Sequence, residues 1–518
     1  MSGSVALGLS LLYGSAYYLS LLSPTQAYFI PSTWTYIVVP TLVAVAVLWP
    51  AIILAGRLLA RHSGTRSRTL LSWAICTLLV AMAINSTFAA ADYSLDLLVA
   101  PLGTGENLMR YRWLRVVVSV TELAFVAAIM WVFRSRRRET VKFLSLLGYA
   151  FAALAVVRIA AHPAAAEAAP TATTAAQQMS PARRVVWIIF DELDYDETLG
   201  TDTDWAARSL PNLLRLRSLS VSATQAYSPA KDTQDSLPAL LTGAATNGSQ
   251  FTSSGTLSIS IPGHPSQRFA QADTLFARLP GGPQSAAVLG YYHPYCKILF
   301  SVGECHSYYL GNAGRWFDGL LFFSQDLAGL IRRAPAAGAR APEQLVRALN
   351  PMFRISTEMA RIEPALLSQS RQALVFVHYN IPHYPADFAQ RSLNLPADPG
   401  DRQSYRDNLL LVDRVIGQIM TEVTAQLRSA PGQELLLVLS SDHWHRLSSL
   451  SAARPIPFFA WHVGETAPVL LTQPISTLHT ADLIVDFLDG KITTHAQIAR
   501  WWQGKPLFPT WIPDNPKF

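Results

Sequence analysis

Thr233 stands in the run Lys231-Asp232-Thr233-Gln234-Asp235-Ser236-Leu237-Pro238. Alone it reads as a threonine in a polar loop that makes an ordinary hydrogen bond. Two distant pairs give it another reading. Asp191-Glu192 closes the apolar run Val185-Val186-Trp187-Ile188-Ile189-Phe190, and Asp442-His443 follows the apolar run Leu435–Leu439. A free hydroxyl is a weak nucleophile, and a divalent cation stabilises its alkoxide. Carboxylates mixed with an imidazole suit zinc or manganese better than calcium. A hydroxyl held between such clusters would be a metal-activated nucleophile for phosphoryl or sulfuryl transfer. Ser236 offers a second hydroxyl toward substrate, and Lys231 a positive charge toward a phosphate. His378 and His383, in Val377-His378-Tyr379-Asn380-Ile381-Pro382-His383, could protonate a leaving group or hold a phosphate oxygen. Blander readings stand beside these. Asp191 and Glu192 could cap a helix, since Asp194, Asp196 and Glu197 follow and favour a helix start. Asp442-His443 could lie in a solvated turn before Trp444 and His445, and either histidine could simply pack.

These residues need elements to position them. After Arg183, short β-branched and aliphatic runs alternate with longer amphipathic stretches. The pattern predicts strands at 184–190, 286–291, 372–378, 434–440 and 456–461. It predicts helices at 211–219, 273–279, 341–368 and 404–428. Such alternation indicates an α/β domain with a mainly parallel sheet. Ligands gather at the carboxyl ends of strands in these sheets, and Asp191, His378 and Asp442 all fall at or just after such ends.

The first third of the chain is different. Five apolar runs, at about 4–23, 33–56, 70–91, 113–133 and 141–160, each approach the ~20 residues that span a bilayer. Over the 518 residues, 50% are hydrophobic and 15% charged, with a mean hydropathy of +0.22, which fits a chain partly in lipid. Arg57, Arg61, Arg66 and Arg68 follow the second run; Arg134, Arg136, Arg137, Arg138 and Lys142 follow the fourth. The positive-inside rule puts both loops in the cytoplasm and everything after about residue 161 outside. The net charge of +6 therefore does not indicate nucleic-acid binding, because much of the arginine sits beside apolar spans. The organisation expected is a transmembrane domain over 1–161 (five helices), a low-complexity linker over 162–183 and an extracytoplasmic domain over 184–518. Cys296 and Cys305 would pair as a disulfide outside the cytoplasm. Trp316-Phe317, Leu320-Leu321 and Phe322-Phe323, ahead of Arg332-Arg333, could form a helix at a membrane interface or one packed on the domain.

Four blocks in order resemble the alkaline phosphatase/sulfatase superfamily. They are Val186–Leu193; Leu210-Pro211-Asn212-Leu213 through Tyr227-Ser228-Pro229 to Thr233, Ser236, Pro238 and Thr242-Gly243; the histidine-rich strand end with Tyr405–Asn408 and Asp413–Gly417; and Ser440–His443. With apolar spans before such a domain, the chain looks like the membrane-anchored phosphoethanolamine transferases and the lipoteichoic acid synthase-like phosphoglycerol transferases. Thr233-x-x-Ser236-x-Pro238 fits the nucleophile motif of that group. The resemblance implies Thr233 as nucleophile, and Asp191 and/or Glu192 with Asp442 and His443 as ligands of zinc or manganese. It puts His383 at the substrate phosphate. Ser236-Leu237-Pro238-Ala239-Leu240 lacks the arginine of the sulfatase signature. The expected protein is a multi-pass enzyme of the cell inner membrane with a periplasmic catalytic domain. It would move a headgroup from a phospholipid donor to an envelope glycan or lipid acceptor through a phosphothreonine. Two alternatives are a hydrolase of phosphate or sulfate esters and a catalytically inactive membrane assembly protein.

Overall fold

The computed structural model describes residues 3–20, 28, 45–46, 48–54, 57, 139, 142–150, 152–153, 181–200, 202–252, 256–299, 301–308, 351–368, 371–383, 402–445 and 454–507. The chain divides into two compact units, 1–169 with 253–255, and 170–252 with 256–518.

In the first unit the helix α1 (Gly3–Ser20) packs against the helical stretch 142–150 through glycines. A Cβ on Gly148 would strike the backbone of Gly8, and one on Gly8 would strike Ser145, so the two backbones meet directly. Among the described residues no helix is long and apolar enough to cross a membrane. That finding includes α1, whose serines, glycines and tyrosines dilute the first apolar run. The runs expected at 33–56 and 141–160 are described only in part. Those at 70–91 and 113–133, and the Trp316–Arg333 segment, lie outside the described residues.

The second unit is built on an eight-stranded sheet. In chain order its strands are β1 (Arg183–Asp191), β2 (Val221–Ala223), β3 (Ala286–Tyr291), β4 (Glu304–Tyr308), β5 (Leu374–Pro382), β6 (Glu434–Ser441), β7 (Phe458–His462) and β8 (Val469–Leu471). Their spatial order is β8-β2-β7-β6-β1-β5-β3-β4. All neighbours run parallel except at β7, which is antiparallel to both β6 and β2. The strands expected at 184–190, 286–291, 372–378, 434–440 and 456–461 correspond to β1, β3, β5, β6 and β7, with ends moved by at most four residues. The short strands β2, β4 and β8 were not expected: three to five residues carry too little alternation to register.

β1 is central because nearly every residue in it is apolar and buried. Val185 to Phe190 are each at most 1% exposed, the continuous run that a strand covered on both faces requires. Full burial of such side chains is worth roughly 1.5–3 kcal/mol each. Helices α4 (Pro351–Ser368) and α5 (Arg402–Ser429) pack on the sheet. The buried Arg184 guanidinium donates to the carbonyls of Leu366 (2.8 Å) and Leu367 (2.7 Å), satisfying the last turn of α4 where a cation also complements the helix dipole. The helix α2 (Pro211–Ser218) starts with proline at its first position. Asp413 of α5 caps it, accepting from the Leu213 N–H (2.8 Å) and from Asn212 Nδ2 (2.9 Å). Gly417 lets α5 approach, since a Cβ there would lie 2.8 Å from Asn212 Cγ. The stretch 273–279 forms only a 3-10 turn, Leu275–Arg278.

Candidate active site

Thr233 does not lie in a loop. It is the first residue of α3 (Thr233–Thr242), and Asp232 is the cap whose side chain accepts from the Asp235 N–H (3.0 Å). Pro238 inside this helix has no N–H for the carbonyl of Gln234, four residues back. Gln234 O accepts from Ser249 Oγ (3.1 Å) instead. Asp235 in turn accepts from the Ser249 N–H and Oγ, both at 2.7 Å. The nucleophile candidate thus sits at the positive end of a capped helix, a position that favours anions.

Its hydroxyl lies 3.4 Å from Asp191 Oδ1, to which it donates, and 3.3 Å from His443 Nε2. Asp191 ends β1, where the pairing with β5 shifts register. Asp442 and His443 follow the end of β6. Ser441 Oγ fixes the two strand ends together, 2.7 Å from both Phe190 O and His443 O while accepting from the Leu193 N–H. Asp191, Asp442 and His443 are all buried, with ligand atoms within 4.8 Å of one another.

The histidine tautomers follow from backbone carbonyls, which only accept. His443 Nδ1 lies 2.8 Å from Trp444 O, so Nδ1 carries a proton and Nε2 is the atom turned to the carboxylates, 3.6 Å from both Asp191 Oδ1 and Asp442 Oδ2. His378 Nδ1 lies 2.8 Å from Tyr291 O, so its proton is on Nδ1 and its Nε2 lies 4.0 Å from Asp442 Oδ2. Burial pushes the His378 imidazole down to about 4 despite the nearby Asp442 charge, which keeps it neutral. Asp442 Oδ1 accepts from the N–H groups of Glu192 (3.1 Å) and His443 (2.8 Å). Oδ2 and His378 Nε2 are buried with no hydrogen-bond partner among the described residues. Electron-rich atoms that converge without a proton between them repel unless a cation lies among them. The residues present therefore fit a divalent metal: Asp191, Asp442, His443 and the Thr233 hydroxyl would hold it, with His378 Nε2 4.0 Å from Asp442 Oδ2. Hard oxygens with imidazole nitrogen suit zinc or manganese.

Other expected residues are placed differently. Glu192 is not in the ligand group. Its φ of 66° turns the chain so that its N–H reaches Asp442 and its carbonyl accepts from Tyr405 Oη at 2.7 Å. Its carboxylate faces His383, with Glu192 Oε1 4.0 Å from His383 Nε2. His378, expected at the substrate, is buried beside Asp442, its Nε2 4.0 Å from Asp442 Oδ2. Ser236, also expected at the substrate, is fully buried and donates to Asp442 O at 2.5 Å, tying α3 to the end of β6. Lys231 is exposed, two residues ahead of Thr233. His383 is partly exposed, 25% by side chain, and its carbonyl accepts from Asn408 Nδ2 at 3.3 Å. Cys296 and Cys305 form a disulfide.

One residue at the site, His293, escaped the sequence reading, and two others, Tyr405 and Asp194, were given no role at the site. His293 is buried with Nε2 3.2 Å from Thr233 O, and desolvation pushes its imidazole down to about 3. It stands two residues past the end of β3, so the strand-end rule that singled out Asp191 could have found it. Tyr405 stacks on His445, ring centroids 4.0 Å apart, and accepts from the Asp194 N–H at 3.1 Å. Asp194 is fully buried, and burial raises its carboxyl to about 6 although Arg454 opposes the shift. Arg454 Nη2 lies 3.2 Å from Asp194 Oδ1 and 3.1 Å from Asp196 Oδ2.

Fold and site together define a class of protein: a mainly parallel α/β domain that brings a threonine hydroxyl, two carboxylates and imidazole nitrogen to one strand-end centre able to hold a metal. No protein-family model matches the chain, and no curated protein sequence matches it. Among solved structures it is similar to Ps i-CgsB in complex with k-i-k-neocarrahexaose, at 16% identity over 63% of this chain and 76% of that one, TM-score 0.40. It is also similar to the phosphonate monoester hydrolase SpPMH of Silicibacter pomeroyi (16%, 59% and 73%, TM-score 0.38). A third is the lipoteichoic acid synthase LtaP of Listeria monocytogenes (11%, 60% and 72%, TM-score 0.34). The likeness is of fold at most, and no substrate or residue role is carried across from it.

Proposed function

We propose that the second unit is a metal-dependent transferase acting on phosphodiesters, with Thr233 as the nucleophile. The observation that carries this reading is the Thr233 hydroxyl, buried at the start of a capped helix within 3.4 Å of both Asp191 and His443. A loop threonine with an ordinary role would not need two converging electron-rich partners. A divalent cation held there lowers the pKa of the hydroxyl and screens the phosphate charge. Thr233 Oγ attacks phosphorus, a threonine–phosphate bond forms, and the bond to the lipid alcohol breaks. The threonine proton is directed at Asp191 Oδ1. His383, beside Glu192 and partly open to solvent, protonates the departing alkoxide or holds a phosphate oxygen. An acceptor hydroxyl then displaces the threonine, splitting one hard displacement into two.

The donor is a phospholipid with a phosphoethanolamine- or phosphoglycerol-type headgroup, and the acceptor an envelope glycan or lipid. This part rests on the sequence resemblance and on the apolar runs of the first third, which support the reading of a multi-pass inner-membrane protein with this unit on the periplasmic side. The Cys296–Cys305 disulfide supports that side, since disulfides persist in oxidising compartments.

Incubation of the full chain with a phospholipid labelled in its headgroup, followed by intact mass measurement, tests the reading. A headgroup adduct on Thr233 and a labelled acceptor are expected. Free headgroup phosphate with no labelled acceptor would instead make the protein a hydrolase.

A further inference from the structure

The segment Gly290-Tyr291-Tyr292-His293-Pro294-Tyr295-Cys296 leaves the end of β3 and touches the centre at three points. His293 Nε2 meets Thr233 O (3.2 Å) at the first residue of the nucleophile's helix. Tyr291 O (2.8 Å) and Tyr295 Oη (2.9 Å) both meet His378 Nδ1. Since the carbonyl must accept, Nδ1–H is shared between the two oxygens, and the Nε2 lone pair is held toward Asp442. Hydrogen bonds behind the residues of a metal centre commonly orient them in this way.

The segment is built tightly. The Tyr295 ring lies against Gly290: a Cβ there would stand 2.2 Å from Tyr295 Cε2, so only glycine admits the ring. Tyr292 has φ 73°, a left-handed conformation that an aromatic residue rarely adopts and that surrounding contacts must hold. Turns close it internally, with His293 N–H to Tyr291 O (3.1 Å) and Tyr295 N–H to His293 O (2.8 Å). The next residue, Cys296, is bonded to Cys305 in β4, which pairs alongside β3 with Cys305 opposite Val288.

We propose that Gly290–Cys296 is a positioning strap for the centre, with His293 and Tyr295 as positioning residues and the Cys296–Cys305 disulfide as its fastening. Opening the disulfide weakens the metal site without unfolding the domain. The proposal rests on the reading that Asp191, Asp442 and His443 hold a divalent cation and that Thr233 is the nucleophile. The strap touches no substrate; it acts through Thr233 and His378.

The test measures Zn²⁺ and Mn²⁺ affinity of the full chain by competition with a chromogenic chelator, with thermal unfolding followed in parallel. Wild type is compared with Tyr295→Phe, His293→Ala, His293→Gln and wild type reduced by a dithiol. The dithiol supplies two electrons and two protons to the sulfurs and ends as a cyclic disulfide. Loss of an outer-shell partner typically lowers metal affinity about 10–100-fold. A drop in that range is expected for Tyr295→Phe and for the reduced protein, with the fold retained. His293→Ala should slow headgroup labelling of Thr233 about tenfold, and His293→Gln, which keeps a donor, should recover part of it. Unchanged affinity in Tyr295→Phe overturns the strap. If reduction unfolds the domain, the claim about the disulfide falls, and the Tyr295 and His293 variants, which keep it, decide the rest. A wild-type protein that binds neither ion overturns the reading of the centre itself, and the strap with it.

Discussion

Among the described residues of the second unit, two groups of histidine and carboxylate differ in their fitness for a metal. Asp191, Asp442 and His443 lie at the ends of β1 and β6, with His378 beside Asp442 from within β5. Past the end of β7, His462, Glu465 and His495 also gather: Glu465 Oε2 lies 3.6 Å from His462 Nδ1, and Oε1 lies 3.8 Å from His495 Nδ1. The residue types are nearly the same. The lone pairs are not. His495 Nδ1–H donates to Ala467 O (2.7 Å), its Nε2 accepts from the His462 N–H (3.1 Å), and its N–H donates to Glu465 Oε2 (2.9 Å). Every polar atom of that ring is occupied by the backbone, so the group staples the start of the helix α6 (His495–Gln503) to the end of β7. In the first group Asp442 Oδ2 and His378 Nε2, 4.0 Å apart, have no hydrogen-bond partner among the described residues. What separates a metal site from a structural knot is therefore which atoms are left over, not which residues are present.

The contrast can be tested at both ends. Thr233→Ala should remove group transfer by roughly a thousandfold or more, because no other hydroxyl replaces the nucleophile, while Zn²⁺ or Mn²⁺ remains measurable by elemental analysis. Residual transfer near the wild-type rate would return Thr233 to the status of an ordinary loop-type threonine. Asp442→Asn keeps the shape and removes the charge. Metal affinity in equilibrium dialysis should fall by about a hundredfold, with the unfolding midpoint little changed or raised, since mutual repulsion is relieved. His495→Ala should do the reverse. It leaves Ala467 O and the His462 N–H unpaired, at a cost of about 2 kcal/mol in urea unfolding, with metal content unaltered. Loss of metal in that variant would erase the distinction between the two groups. The smallest effect belongs to His462. Burial depresses its imidazole below the ordinary value of 6.5, so the folded state prefers the neutral ring. Its contribution is complete above 6.5 and is lost as pH falls through the lower folded value. Since the ring is only partly buried, this amounts to less than about 1 kcal/mol after screening. His462→Gln should flatten the unfolding free energy just below pH 6.5, and an unaltered acid limb would show that the ring does not titrate on folding.

The sequence was informative where one strong rule applied. Long apolar runs located β1, β3, β5, β6 and β7, and the strand-end rule led to Asp191, Asp442, His443 and His378. It misassigned Thr233 to a loop, although Asp232 three residues before Asp235 is a helix-start pattern; Pro238 obscured it, and the substitute bond from Ser249 to Gln234 O is visible only in three dimensions. Glu192 and Asp191 were indistinguishable as types. Only the positive φ of Glu192 assigns one to the centre and the other to His383. Ser236 looked like a substrate hydroxyl because nothing in the sequence shows that Asp442 O lies over it. His293 was passed over although the strand before it was located, because it follows the end of β3 by two residues instead of closing the apolar run.

The reversed direction of β7 has an effect on how this domain can vary. β6 ends at the centre, and β7, antiparallel to it, begins at the same end. The connection between them therefore leaves at His445 and returns at Arg454 on one rim, where Arg454 meets Asp194. A crossover to a parallel strand would have to traverse the sheet, and its length would be tied to the register of the strands. A connection that leaves from and returns to one rim is free of that tie. Its two described ends are tied to one buried carboxylate, the His445 N–H to Asp194 Oδ2 at 3.3 Å and Arg454 Nη2 to Asp194 Oδ1 at 3.2 Å, so the place of Asp442 and His443 does not depend on the length of chain between them.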